Sequence, residues 1–343
     1  MSVQTELQDT VQSLVRRGRG ILAADESTPT ITKRFQAVGI ECTEASRRSY
    51  RELLLSTAGI GEYLSGVILY EETLGQNAAN GMRLAEVAQR QGVVPGIKVD
   101  KGTIDLANAQ GDKITQGLDG LGERLRGYKE QGARFAKWRE VYPITAANPT
   151  ALGIAANAEV LARYAAICQS YGVVPIVEPE VLIDGDHTIE RCEQVTEAVQ
   201  NEVFAALKRH RVQLEAMLLK PSMVVAGKGH PPKASPEEVA ERTLRVLRRT
   251  VPAAVPSINF LSGGQTPEEA TANVNAMNAA SAGLPWLLSF SYARALQEPP
   301  MAIWQGRAEN VAAAQQAFLQ RARLNAAAQR GAYTPAMESA AAR

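Results

Sequence analysis

The chain has 343 residues, 45% hydrophobic and 21% charged, with 37 basic and 36 acidic side chains and a formal net charge of +1. These fractions exclude wholesale disorder, and the neutral balance gives no electrostatic reason to expect nucleic acid or an anionic membrane as the main partner. Three scattered cysteines (Cys42, Cys168, Cys192) exclude a disulfide framework and suit a reducing compartment. Three separated histidines (His187, His210, His230) lack metal-ligand spacing, so no metal is expected.

Residues 1–20 place Leu7, Val11, Leu14 and Val15 on one helical face, and Glu6 and Asp9 interrupt any signal-peptide core. No apolar run is read as approaching the roughly 18 residues of a membrane span, so a soluble cytoplasmic protein is expected. Eight short apolar stretches follow, at 21–24, 66–70, 93–99, 135–141, 173–177, 216–219, 256–261 and 284–290. Their length and Val/Ile/Leu content fit strands buried on both faces. Helical patterns alternate with them at 151–171, 188–210, 236–250 and 267–281. The last two open with capping-box spacing, Ser235 to Glu238 and Thr266 to Glu269, and with proline at the first helical position. A long helix is expected over 302–330 and a loose tail after Gly331. Eight strand–helix alternations, at about 34 residues per unit, predict a single-domain α/β fold of the (β/α)8 barrel type over 1–333, with 334–343 as a flexible tail. The rival open sheet lacks a GxGxxG after its first strand.

Reactive side chains gather at the carboxyl ends of these strands, where a barrel builds its site. They are Asp25, Glu71 and Glu72, Lys98, Lys137 and Arg139, Glu178 and Glu180, Lys220, and finally Ser291 and Arg294. Lys220 ends a buried apolar strand. Desolvation and the like charges of Lys98 and Lys137 would favour its neutral amine, the form that attacks a ketone to make a Schiff base. A structural salt bridge with Glu178 is an equal reading of the same residues. Glu178 is placed to protonate a departing hydroxyl, and Asp25 to stay ionised and orient substrate or lysines; a charge-neutralising ring is the alternative. The segment 261–267, LSGGQTP, ends the seventh strand and opens a helix, which suits phosphate binding, with Ser291 and Arg294 after the eighth strand beside it. Arg34 and Lys98 form a second cationic set. Asp184 to His187 is read as a helix-capping turn, the basic loop 227–233 as flexible solvated surface, and Trp138 as core.

The motifs ILAADES at 21–27, GIKVDKG at 96–102, FAKWR at 135–139, PIVEPE at 175–180, LLKP at 218–221 and FLSGGQ at 260–265 together resemble class I fructose-bisphosphate aldolase, in order from about Gly18 to Tyr333. The resemblance implies a metal-independent, cofactor-free lyase that acts on a sugar bisphosphate, fructose 1,6- or sedoheptulose 1,7-bisphosphate, usually as a homotetramer. It implies Lys220 as the Schiff-base residue, Glu178 as acid/base, Asp25 in C3–C4 cleavage, and Lys137 and Lys98 in support. Ser262, Gly263, Gly264, Ser291 and Arg294 would hold the C1 phosphate; Ser27, Arg34 and Lys98 would lie toward the C6 phosphate; Arg47 and Arg139 complete the substrate set.

Three departures from the family pattern are visible: Ala216 and Ala293 stand where glycine is usual, and the chain ends AAAR rather than in tyrosine. Enamine protonation is therefore expected to use another group or water. A pyridoxal-phosphate barrel, which would be yellow, and a non-catalytic sugar-phosphate-binding barrel are the competing readings.

Overall fold

The computed structural model describes residues 2–339. Eight parallel strands close into one barrel: β1 (Gly20–Ala24), β2 (Leu64–Leu69), β3 (Val94–Lys98), β4 (Phe135–Tyr142), β5 (Val174–Val181), β6 (Leu218–Leu219), β7 (Ser257–Phe260) and β8 (Leu287–Tyr292). β8 pairs with β1, Ile21 opposite Ser291, and closes the ring. The architecture is the (β/α)8 barrel.

Side-chain alternation along each strand divides the core in two. Leu22, Ala24, Val67, Leu69, Ile97, Trp138, Phe260 and Phe290 face outward into the layer shared with the helices. Ile21, Ala23, Ile68, Phe135, Ile176 and Leu218 face inward. The amphipathic helix Val3–Leu14 buries Leu7, Val11 and Leu14 against this inner set and plugs the amino end of the barrel. Glycine makes room for the inner aromatics: a Cβ on Gly96 would lie 2.4 Å from the Phe135 ring. Two residues beyond the inner apolar positions, the same alternation aims Asp25, Lys98, Lys137, Glu178 and Lys220 into the carboxyl end. One periodicity thus builds both the plug and the polar mouth.

Several expectations are corrected. β5 runs to Val181, so Glu178 and Glu180 lie within the strand, Glu178 in register with Arg139. β8 runs to Tyr292 and includes Ser291. The expected 302–330 helix is two, Arg294–Trp304 and Val311–Gln329, because Gln305 and Gly306 adopt positive φ (49° and 75°) and break it. The helix Ile189–Arg209 is capped by Thr188, whose hydroxyl accepts from the Arg191 N–H, not by the preceding acidic turn. The loop 227–233 is solvent-exposed over most of its length, as expected, but its first three residues are fixed, with Gly227, Lys228 and Gly229 donating to the carbonyls of His187, Ile183 and Gly185.

The helix Ala151–Ser170 is, by length and composition, long and apolar enough to cross a membrane, contrary to the sequence reading. One face of it, with Ala158, Leu161, Ala162 and Ala165, is buried in the core, and the Tyr164 hydroxyl donates to the Ala136 carbonyl at 2.7 Å. Of the expected tail, residues 336–339 form one helical turn, and Glu338 pairs with Arg321 at 2.6 Å. The terminal residues 340–343, on which the enamine-protonation expectation rests, lie outside the described residues.

Candidate active site

A cavity of about 320 Å³ opens at the carboxyl end of the barrel. At its floor, Lys137 on β4 sits between two carboxylates, 2.7 Å from Asp25 Oδ2 and 3.2 Å from Glu178 Oε2. Glu178 turns its other oxygen to Lys220, 3.1 Å away. The order Asp25–Lys137–Glu178–Lys220 alternates in sign, and all four side chains are buried. The pairing of Lys220 with Glu178, one of the two readings of the sequence, is thus present, in a mouth that also holds every other group of the nucleophilic reading.

The electrostatics follow from this alternation. Burial alone would raise the Asp25 carboxyl, but Lys137, with Lys220 and Lys98 behind it, outweighs burial and holds it well below the usual carboxylate range. Burial alone would likewise lower the Lys137 ammonium, yet Asp25, Glu178 and Asp100 push it well above the usual range. Asp25 and Lys137 are therefore a fixed ion pair at neutral pH. Four buried atoms of cavity-lining residues make no hydrogen bond, Glu26 Oε2, Asp100 Oδ2, Glu178 Oε2 and Ser291 Oγ; the two glutamate oxygens still have ion-pair contacts with Arg51 and Lys137, whereas Asp100 Oδ2 and Ser291 Oγ have neither. Orphaned buried polar atoms are costly unless a ligand uses them.

The cavity brings together Asp25, Ser27, Arg34, Lys98, Lys137, Arg139, Glu178, Lys220, Ser262, Gly263, Ser291 and Arg294. Gly263 and Gly264 hold positive φ (34° and 82°), which lets the loop after β7 turn sharply before the helix Pro267–Ala279. Gly264 itself faces away, toward Ile183 and Lys228. Arg294 begins the helix after β8 and makes no ion pair among the described residues. Lys98 is held by Asp100 and Arg139 by Glu180, while Arg34 is held by Glu26. Arg47 is not brought to the cavity; its guanidinium is engaged by Glu72, with Nε 2.8 Å from Oε2.

Sequence reasoning missed Thr30, Asp100, Gly102 and Thr103, which also line the cavity. Asp100 and Gly102 lie in the GIKVDKG motif, so a signal existed. Thr103 belongs to a two-stranded hairpin, Thr103–Asp105 with Lys113–Thr115, whose three-residue strands, each with a single isoleucine, are too short to give a strand signal. Among the described residues no group of three or more His, Cys, Asp or Glu is placed to hold a metal ion.

The chain's similarities agree with this geometry. The family model for fructose-bisphosphate aldolase class-I matches residues 6–343. Fructose-bisphosphate aldolase 4, cytosolic, of Arabidopsis thaliana is 54% identical over 316 residues, covering 92% of this chain and 80% of that protein. The fructose-bisphosphate aldolase of Dictyostelium discoideum is 52% identical over 332 residues, 96% and 93% of the two chains. The solved structure of the Plasmodium falciparum enzyme, in complex with TRAP and a small molecule inhibitor, superposes with a TM-score of 0.95 at 50% identity, covering 97% of this chain and 96% of that one. A closed barrel with a buried lysine–carboxylate chain at its mouth, matched along nearly its whole length, belongs to the class-I fructose-bisphosphate aldolase family.

Proposed function

We propose that the chain cleaves fructose 1,6-bisphosphate reversibly into dihydroxyacetone phosphate and glyceraldehyde 3-phosphate, with Lys220 as the nucleophile. The observation that carries this reading is the 3.1 Å contact between Lys220 Nζ and Glu178 Oε1 inside a buried chain of alternating charge. One proton passed from Lys220 to Glu178 gives both the neutral amine that attacks C2 and the acid that the next step needs. Glu178 then returns that proton to the carbinolamine hydroxyl, water leaves, and an iminium forms between Lys220 and C2.

The iminium draws in the electron pair released when the C3–C4 bond breaks. The C4 hydroxyl gives its proton to Glu178, a carboxylate again once water has left, while Asp25, fixed as an anion by Lys137, orients that hydroxyl, and glyceraldehyde 3-phosphate departs. The remaining enamine is protonated at C3, and hydrolysis frees dihydroxyacetone phosphate and regenerates Lys220. Ser262, Gly263, Ser291 and Arg294 take the C1 phosphate, supported by the orphaned Ser291 hydroxyl and the unpaired Arg294 guanidinium. Ser27, Arg34 and Lys98 take the distal phosphate. The chain's cytosolic and cytoplasmic relatives support the cytoplasm as its compartment. It assembles as a homotetramer.

The test is product analysis with purified protein. Both triose phosphates should appear from fructose 1,6-bisphosphate with a chelator present, and Lys220→Met should abolish turnover while the protein stays folded. Full activity of Lys220→Met, or inactivation by the chelator, would reject the mechanism.

A further inference from the structure

Arg34 enters the cavity from the helix Thr28–Ala37, but its aim is set from outside the barrel. Just beyond β1, Asp25 points into the barrel, and its neighbour Glu26, at the edge of the cavity, reaches back into the helical layer. There Glu26 takes the Arg34 guanidinium on one oxygen and Arg51 Nη2, at 2.6 Å, on the other. Gln297, on the helix Arg294–Trp304, donates to Glu26 Oε1 at 2.8 Å and to the Ala23 carbonyl at 2.7 Å. Its own carbonyl oxygen, Oε1, accepts from Arg51 at 3.4 Å. Glu26, Arg51 and Gln297 are 7%, 3% and 1% exposed, so their geometry is locked by packing and not averaged by solvent.

The trio Arg34, Glu26 and Arg51 keeps a net charge of +1, so pairing orients the Arg34 guanidinium without cancelling its attraction for an anion. A long, half-exposed arginine otherwise loses rotamer entropy each time it binds; a carboxylate held in place from behind removes that cost in advance. We propose that Gln297 and Arg51, acting through Glu26, are positioning residues that aim Arg34 at the distal phosphate of the sugar bisphosphate. The inference rests on the assignment of Arg34 to that phosphate. It adds that two residues which never touch substrate set the preference for a bisphosphate over a monophosphate.

The experiment compares fructose 1,6-bisphosphate with fructose 1-phosphate, which lacks the distal phosphate. Gln297→Met keeps the volume and removes all three hydrogen bonds. It should raise KM for the bisphosphate about tenfold, a loss of about 1.4 kcal/mol, with kcat within about twofold and the monophosphate kcat/KM unchanged. Arg51→Lys, which keeps the charge but not the fork, should give the same split more weakly, and serves if Gln297→Met does not fold. Arg34→Ala tests the underlying assignment by the same split. If Arg34→Ala discriminates the substrates but Gln297→Met and Arg51→Lys do not, the positioning role is wrong and the assignment stands. If Arg34→Ala does not discriminate, both fall. Equal losses for the two substrates in Gln297→Met would mark a merely structural effect and overturn the proposal.

Discussion

At the scale of single residues, the site works by giving chemically similar groups different surroundings. Glu178 touches both lysines, whereas Asp25 touches only Lys137, so one carboxylate can exchange a proton while the other is locked. Glu178→Gln should lower kcat by about 10²-fold or more with little change in KM, because in the proposed mechanism it meets the reacting nitrogen and not the phosphates. Asp25 is held as an anion, so Asp25→Asn should lower the rate evenly across about pH 5 to 8 without moving the acid limb. A shifted limb would show that Asp25 titrates in that range.

Glu140 behaves in the opposite way. It points outward from β4 and accepts from the Trp138 indole at 2.8 Å and the Thr115 N–H at 3.1 Å. Burial raises its carboxyl from 4.5 to about 8, against those hydrogen bonds. The folded chain therefore holds this proton after the unfolded chain has released it. Its contribution to stability is complete below about pH 4.5 and is lost as pH rises through about 8. Between pH 6 and 9 the melting temperature of the native protein should fall by at least about 2 °C more than that of Glu140→Gln. Parallel curves would contradict the assignment. The sequence named Lys220, Glu178 and Asp25 because a charge in apolar surroundings is conspicuous. It could not show the role of Glu26 or Glu140, since only the fold reveals which face of the strand each occupies.

At the scale of elements, positions with a strong local signal were legible and those fixed by tertiary contact were not. Thr266 and Glu269 form the reciprocal capping box that their spacing predicts. Ser235 accepts from the Glu238 N–H, but the Glu238 carboxylate goes to Arg242 instead of back to the cap. The same spacing therefore yields one complete box and one half. β6 is the hardest strand to bound: only Leu218–Leu219 pair as strand, and the expected start at Ala216 is a 3₁₀ turn over Leu214–Ala216. The split of the terminal helix was hidden because Gln305, unlike Gly306, carries no sign of a left-handed backbone. Gly264 tests how far the loop after β7 depends on its backbone. With φ at 82° and a Cβ that would lie 2.9 Å from Ile183, Gly264→Ala should strain the loop by about 1–2 kcal/mol. KM should then rise for fructose 1,6-bisphosphate and fructose 1-phosphate alike, since the proposed mechanism assigns this loop to the shared phosphate. A rise for the bisphosphate alone would place the loop at the wrong end of the substrate.

At the scale of the whole molecule, a chain with almost no net charge gathers six of its 37 cations in one cavity at the mouth of the barrel. Arg34, Lys98, Lys137, Arg139, Lys220 and Arg294 line a cavity that also holds Asp25, Glu26, Asp100, Glu178 and Glu180. That leaves a small positive excess suited to a doubly phosphorylated sugar. Closure of the barrel makes this possible, because it brings strands far apart in sequence within 3.2 Å contacts at a buried floor. Sedimentation should give a mass about four times the 36.9 kDa chain; a monomeric mass would remove the tetramer from the account. The central claim is covalent chemistry at one lysine. Borohydride reduction in the presence of dihydroxyacetone phosphate, followed by peptide mass analysis, should leave a single reduced adduct on Lys220. No adduct, or an adduct on Lys137 or Lys98 instead, would contradict the account.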